Sequence, residues 1–122
     1  MTNAMNTGIY GRVDPGQGFG DEYSYTDDAV LTAAQDGAAI NNAGAAKAIE
    51  ITLPAAVAGM EFAFLRVANF DMTLDPNGSE TISDGGAGSA LVILARGLLV
   101  LSCSSDGAWE VVSDSTLWNY EP

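Results

Sequence analysis

Alternation of apolar and polar residues is the feature that most constrains the fold of this chain. It recurs in three stretches after residue 29, which read AIEITLP, GMEFAFLRVANF and FDMTLDP. A period of two places successive side chains on opposite faces of a strand, so each stretch predicts a short β-strand with one buried face. The side chains expected to point inward are Ile49, Ile51, Leu53, Met60, Phe62, Phe64, Phe70, Met72 and Leu74. With glycine, proline, asparagine and aspartate in between, we predict an all-β fold, an antiparallel β-sandwich or barrel of about six to eight short strands.

The C-terminal third predicts further strands. The run ALVILARGLLVLSC is apolar on both faces, and its composition favours a hairpin of two buried strands that turns at Arg96-Gly97. Asp106-Gly107 predicts a second hairpin turn, after which Trp109 and Val111 share one face and Val112 lies on the other. The earlier segment AVLTAAQDGAAINNAGAAKA is rich in alanine but interrupted by glycine and asparagine. It predicts a strand, a loop and at most one short helix.

The first 28 residues differ in composition from the rest. Residues 11–28 contain four glycines, one proline and five carboxylates but few aliphatic residues, which predicts an extended acidic arm over residues 1–28, ahead of a β domain over residues 29–122. Side chains in this arm that could anchor it to a partner surface are Arg12, Phe19, Tyr23 and Tyr25. An arm packed on its own domain, or one without fixed structure, explains the same composition.

Charge limits the partners. Sixteen acidic residues against four basic ones give a formal charge of −12, which repels phosphate backbones and anionic membrane surfaces. The N-terminus has no basic and apolar signal-peptide pattern, and the longest apolar run is shorter than the roughly 20 residues that span a bilayer. We therefore expect a soluble protein made in the cytoplasm, with no nucleic-acid partner and no membrane partner.

The stretch TLDPNGSETISD, residues 73–84, has the composition of a calcium loop. Aligning Gly78 with the glycine of an EF-hand loop places Asp75 and Asn77 at ligand positions. The first position is then Thr73 instead of a carboxylate, the last is Asp84 instead of glutamate, and the flanks alternate as strands. We interpret Asp75-Pro76-Asn77-Gly78 as a β-turn and predict no metal site.

Catalytic readings find little support. The chain contains no histidine, so Ser-His and Cys-His nucleophiles and histidine-ligated metals are excluded. Carboxylate pairs such as Asp21-Glu22 and Asp27-Asp28 are interpreted as surface charge, and Cys103 as a buried, inert thiol. We predict no catalytic residues, no cofactor and no enzyme activity.

The C-terminal stretch STLWNYEP carries three large apolar or aromatic side chains, Leu117, Trp118 and Tyr120. Such residues near a chain end are tied either to their own core or to another chain, because Trp and Tyr are favoured as interface anchors. Both alternatives remain open, and these three residues are our candidates for self-association.

A series of motifs resembles a small β domain of tailed-bacteriophage virion proteins. The motifs, in order, are Asn-x-Gly-Ala, Ile-Thr-Leu-Pro-Ala-Ala, Ala-Gly-Met-Glu-Phe-x-Phe, Asp-Pro-Asn-Gly-x-Glu-Thr-Ile and Gly-x-Trp-x-Val, and they extend over residues 31–113. In that family the domain occurs in head-decoration proteins and as a module of tail-fibre or tail-spike chains. The resemblance implies a structural role in the virion, without catalysis.

A chain of this length, without a fibre shaft, favours decoration of the capsid exterior. The resemblance then implies a head-decoration or cement protein that is made in the host cytoplasm, binds the major capsid protein and associates with itself as a homotrimer. The arm would order on binding and grip the shell. The alternative is a tail-fibre or receptor-binding module of the phage virion.

Overall fold

The computed structural model describes residues 20–121, which form eleven β-strands in two sheets and one short 3-10 helix at Ala33–Gln35. The strands are β1 Glu22–Ser24, β2 Ala29–Val30, β3 Ala39–Asn41, β4 Ile49–Thr52, β5 Glu61–Arg66, β6 Met72–Asp75, β7 Thr81–Ile82, β8 Leu91–Ile93, β9 Gly97–Ser105, β10 Ala108–Asp114 and β11 Trp118–Tyr120. The six-stranded sheet has the order β1-β3-β5-β9-β10-β7, and the five-stranded sheet has the order β11-β8-β6-β4-β2. The all-β prediction is confirmed.

The chain winds between the two sheets. Successive strands from β1 to β9 alternate from one sheet to the other, so that the sheet orders match strand by strand. We call each matched pair a rung: β1 with β2, β3 with β4, β5 with β6, β9 with β8, and β10 with β11. The first three rungs repeat in the same direction, and their neighbouring strands are parallel. This arrangement is β-solenoid-like.

The prediction of antiparallel strands was wrong for this winding. Parallel pairing joins the first three rungs and also β7 with β10, whereas β5 with β9, β6 with β8, β8 with β11 and β9 with β10 are antiparallel. Alternation identifies a strand and its buried face but not its partner strand. The strand number was also underestimated, because β2 and β7 have two residues each and are too short to show a period.

The buried core lies between the two sheets. Most of the side chains predicted to point inward are buried, and Phe62 packs on Trp109 with ring centroids 5.8 Å apart. Phe70 was predicted inward but is 40% exposed. It precedes β6, in the crossing from β5, where strand alternation does not apply. Cys103 is a buried free thiol, as predicted, and burial raises its pKa.

Only one of the two predicted hairpins forms. Strands β9 and β10 are antiparallel neighbours that turn at Asp106-Gly107, where Gly107 has φ 83°. Beyond this turn Trp109 and the partly buried Val111 share the core face, as predicted, and Val112 is 55% exposed. In contrast, β8 and β9 belong to different sheets, and residues 94–96 cross between them. Because both strands are apolar on both faces, the sequence could not distinguish a turn within one sheet from a crossing.

The folded body includes part of the predicted arm. Strand β1 pairs with β3, and Tyr23 and Tyr25 pack against the core. The segment after it, predicted as a strand, a loop and at most one short helix, contains β2, β3 and the three-residue helix between them. Within residues 20–121 no helix has the length and apolarity needed to cross a membrane.

Candidate functional site

The outer face of the five-stranded sheet carries a shallow groove. Side chains such as Ile51, Leu74 and Ile93 face the core, so their strand neighbours face outward. Register places four outward residues in one row across β4, β6, β8 and β11. These residues are Glu50, Thr73, Val92 and Asn119. The part of the groove over Thr73, Val92 and Asn119 has a volume of about 470 Å³, and its lining extends to Asp71, Leu94 and Glu121. An adjoining part of about 220 Å³ is lined by Glu50 and shares Thr73 and Glu121 with it.

Carboxylates crowd the side of the groove near β4. Glu50 lies there with Asp28 and Glu121, and the negative charge of Asp75 acts on Glu50. The pKa of Glu50 is raised, first by partial burial and then by the negative charge of Asp75. Asp28 is held in place because its Oδ1 accepts a hydrogen bond from the Glu50 backbone N–H at 2.8 Å. Negative charge is thus concentrated here without a basic side chain in the groove lining.

The other end of the groove is aliphatic. Leu94 lines it and is 46% exposed, while Leu117 on the adjacent segment is 70% exposed. The Leu94 backbone N–H donates to the Leu117 carbonyl oxygen at 2.8 Å, which keeps the two residues side by side. An acidic half and an aliphatic half therefore share one surface.

Arg66 fixes the position of the groove wall. Its side chain is 6% exposed and donates to the carbonyl oxygen of Ile93 at 3.3 Å and to Asp71 Oδ1 at 3.2 Å. These bonds join the end of β5 to the residue before Leu94 and to the start of β6. Arg66 therefore acts as a positioning residue for both Asp71 and Leu94, and its charge is already partnered.

The lining of the groove combines carboxylates with aliphatic side chains. Within residues 20–121 no group of three or more His, Cys, Asp or Glu side chains is placed to hold a metal ion. The surface is open, and its chemistry combines negative charge with aliphatic contact area. It is complementary to a protein segment that presents a lysine or arginine beside an apolar side chain.

No protein-family profile and no curated protein matches this sequence.

Tyr23 and Tyr25, two of the residues proposed for shell contact, pack on their own domain. Tyr23 and Tyr25 are half-buried, their rings stack with centroids 6.4 Å apart, and the Tyr25 hydroxyl accepts a hydrogen bond from Gln35 Nε2 at 2.9 Å. They leave only part of each ring for a partner. Arg12 and Phe19 lie outside the residues that the structure describes. The shell-contact role of all four stays a prediction.

The three residues proposed for self-association differ in exposure. The Trp118 indole N–H donates to Asp114 Oδ2 at 2.8 Å, and the Tyr120 hydroxyl donates to the Ile82 carbonyl oxygen at 3.0 Å. Both side chains therefore anchor β11 to its own domain, whereas Leu117 remains exposed. Their role in self-association stays a prediction.

The stretch TLDPNGSETISD forms the connection between β6 and β7. The turn hydrogen bond runs from the Glu80 N–H to the Asn77 carbonyl oxygen at 3.0 Å, and Gly78 has φ 56°. A turn is present, two residues later than the one predicted at Asp75 to Gly78. Its Asp75 carboxyl meets Glu50 in the groove.

Glu50, Thr73 and Val92 were not identified from the sequence as binding residues. Thr73 was considered only as the first position of the rejected calcium loop. Their alternation with core residues is visible in the sequence, but their union into one row depends on parallel register between β4 and β6, which alternation does not specify.

Proposed function

We propose that this protein is a non-catalytic structural protein that decorates and stabilises the outer surface of a tailed-bacteriophage capsid. The motif series between residues 31 and 113 is the reason for proposing a capsid as the partner. The groove, with its acidic half and its aliphatic half, is the observation that supports a binding role over a catalytic one. Within this proposal the two sheets act as one sandwich-like body, whose packed core holds the groove in a fixed shape.

Charge supports an exterior location. A chain of formal charge −12 is repelled by packaged DNA, which lies inside the shell. The exterior offers protein surface instead. A decoration protein that binds only the assembled shell raises shell stability by mass action.

The groove supplies a binding mode for the capsid protein. Repulsion among Glu50, Asp75 and their neighbours is relieved when a partner brings a cation into the groove. Aliphatic contact at Leu94 and Leu117 adds apolar burial beside that charge pair. We therefore propose that a basic and apolar segment of the major capsid protein lies across the row of Glu50, Thr73 and Val92.

Charge reversal in the groove tests this binding mode. The purified protein is mixed with empty expanded shells and the bound fraction is measured by co-sedimentation. We expect Glu50→Lys and Leu94→Glu each to weaken binding by about tenfold or more. In Glu50→Lys the attraction between opposite charges becomes repulsion, and in Leu94→Glu a charged group loses its water in an apolar contact. The matched control is Asp84→Lys, which makes the same charge change at an exposed position in the β7–β8 connection. Equal affinity of Glu50→Lys and wild type would reject the groove as the shell contact.

The proposed arm is tested separately by removing residues 1–19, a deletion that retains β1. Loss of shell binding would support a contact through Arg12 and Phe19, and unchanged binding would remove those residues from the mechanism. If the protein does not bind shells but binds host cells or surface glycans, that result would favour the alternative, a tail-fibre or receptor-binding module.

A further inference from the structure

The outer face of the six-stranded sheet differs from the groove face in that its centre lacks charge. Register aligns Ala39, Ala63, Val100 and Ser113 in one row and Asn41, Leu65 and Leu98 in the next. These residues point away from the core because their strand neighbours Ile40, Phe64 and Leu99 are fully buried in it. The two rows extend over the central strands β3, β5 and β9, and the first reaches β10. We call them the neutral rows.

The neutral rows form a packed apolar layer. Leu65 and Leu98 pair across β5 and β9 and are 37% and 36% exposed. Together with their neighbours they reduce the exposure of Ala63 to 3% and of Val100 to 8%. A register shift in β10 after Val111 leaves Val112 beside this layer, with 55% of its surface exposed.

Opposite charges flank the neutral rows along the strand direction. Glu61 and Glu110 both pair with Ser102 of β9 and are exposed at one end. Arg96 is exposed at the other end, directly before β9 begins. About six residues of strand separate Arg96 from Ser102, a distance of roughly 20 Å.

We propose that this face is a twofold self-association surface that pairs with the same face of a second copy. With the strands of the two copies antiparallel across the contact, Arg96 of each copy meets the Glu61 and Glu110 end of the other, and the neutral rows pack between. A twofold contact is self-complementary, as this distribution of charge requires. Sheets pack face to face about 10 Å apart, which leaves room for one layer of interdigitated aliphatic side chains.

Electrostatics favours self-association through this face over self-association through the groove. Two copies that met through their grooves would bring Glu50, Asp75 and Glu121 of each together, which is strongly repulsive in a chain of net charge −12. The first neutral row continues onto β1 as Glu22, whose Oε2 accepts a hydrogen bond from Asn41 Nδ2 at 2.8 Å, so two copies that meet through this face bring together one such carboxylate each instead of three. The inference concerns only copies of this chain and therefore does not rest on the capsid proposal, and it leaves the groove on the opposite face free.

Light scattering across a concentration series tests the proposal on the full chain. We expect a dimer mass for wild type and at least a tenfold rise in the dimer dissociation constant for Val112→Glu and Leu98→Glu. Val30→Glu is the matched control for Val112→Glu, since it places the same charge at an exposed valine on the other sheet. Thermal unfolding of each variant verifies that it is folded. If Leu98→Glu does not fold, Val112→Glu still tests the proposal.

Charge exchange supplies a second readout. Arg96→Glu should weaken the dimer, and adding Glu61→Arg and Glu110→Arg to the same chain should restore it, which a merely structural role of Arg96 does not predict. A wild-type monomer at all accessible concentrations, a trimer mass, or dissociation by Val30→Glu but not by Val112→Glu would each overturn the proposal. So would a dimer that forms only after residues 1–19 are removed, because that result would make the N-terminal segment the occupant of this face.

Discussion

Asn42 organises the crossing from β5 to β6 through its side-chain amide. It is fully buried, and its Oδ1 accepts hydrogen bonds from the backbone N–H groups of Val67 at 2.7 Å and Ala68 at 3.0 Å. Its Nδ2 donates to the carbonyl oxygen of Phe70 at 3.2 Å. One side chain thus supplies both donor and acceptor to backbone that leaves one sheet and enters the other. Such backbone has no strand partner of its own at this point.

Replacing this amide should be costly. We expect Asn42→Ala to lower the free energy of unfolding by about 2–4 kcal/mol, because two backbone N–H groups lose their acceptor in a buried site. Chemical denaturation followed by tryptophan fluorescence measures the change. Asn119→Ala, at an exposed position of β11, serves as the control and should stay within about 0.5 kcal/mol of wild type. A loss for Asn42→Ala no larger than that of the control would show that water replaces the amide.

The sequence predicted buried faces residue by residue but not these polar attachments. Ile49, Ile51 and Phe62 were identified as core from alternation alone. Asn42 and Arg66 were not singled out, because the sequence does not show whether a polar residue near the end of a strand faces solvent or forms hydrogen bonds to the backbone of a crossing. The partners of the Asn42 side chain are at least 25 residues away, and one partner of Arg66, the Ile93 carbonyl oxygen, is 27 residues away and belongs to the other sheet.

Among the elements, the two crossings 94–96 and 115–117 act together. The Ser115 backbone N–H donates to the Leu98 carbonyl oxygen at 2.8 Å, and the Leu94 N–H donates to Leu117. They carry the antiparallel pair β9 and β10 from the six-stranded sheet into β8 and β11 of the five-stranded sheet. Gly97 lies where the two crossings approach most closely, with φ 140°. A Cβ at Gly97 would lie 2.6 Å from the Ser115 carbonyl oxygen.

Gly97→Ala should therefore destabilise the protein by more than about 3 kcal/mol, since the alanine is strained in its backbone and also collides with backbone atoms. Gly107→Ala provides the comparison. Gly107 also has positive φ, but nothing lies within 4 Å of a Cβ placed there, so only the conformational cost of about 1–2 kcal/mol applies. Thermal unfolding of both variants measures the difference. Equal losses would mean that the crossings separate readily to admit a methyl group.

Element prediction succeeded where local turn chemistry was decisive. Asp106-Gly107 fixes the β9–β10 hairpin because the turn demands positive φ at Gly107. Arg96-Gly97 also predicted a hairpin turn. In the structure Gly97 is instead the first residue of β9, and it lies against Ser115 of the crossing 115–117. The groove was unpredictable for the same reason as the crossings, since its row from Glu50 to Asn119 depends on which strands are neighbours.

At the scale of the whole molecule, the carboxylates around Glu50 on the outer face of the five-stranded sheet affect the stability of the fold. Glu50 has a raised pKa, so its ionised form is less favourable in the folded protein than in the unfolded chain. Its stabilising contribution is present in full below the ordinary glutamate pKa. That contribution is lost as pH rises from the ordinary value through the raised folded value. At neutral pH the groove is therefore held in an electrostatically unfavourable state.

Glu50→Gln should raise thermal stability near neutral pH, and screening at this exposed position limits the gain to roughly 0.5 kcal/mol. The advantage should shrink as pH falls to about 4, where the wild-type carboxyl also becomes neutral. Thermal unfolding of both proteins across this range measures the effect, with Asp84→Asn as the control for loss of one negative charge. A stability difference that does not change with pH would contradict the assignment to ionised Glu50.

The winding of the rungs also determines the order in which the chain can fold. In the first three rungs, paired strands are not consecutive in sequence. Between them the chain crosses to the other sheet, forms a strand there and crosses back. The β9–β10 hairpin alone joins strands that are adjacent in sequence and in space among the described elements. Because nearby segments close faster than distant ones, this hairpin is the natural nucleus, onto which β5 and then the earlier strands assemble. The half synthesised first therefore waits for the half synthesised last, and a ribosome-bound chain gains its first stable pairing only after residue 114 has emerged.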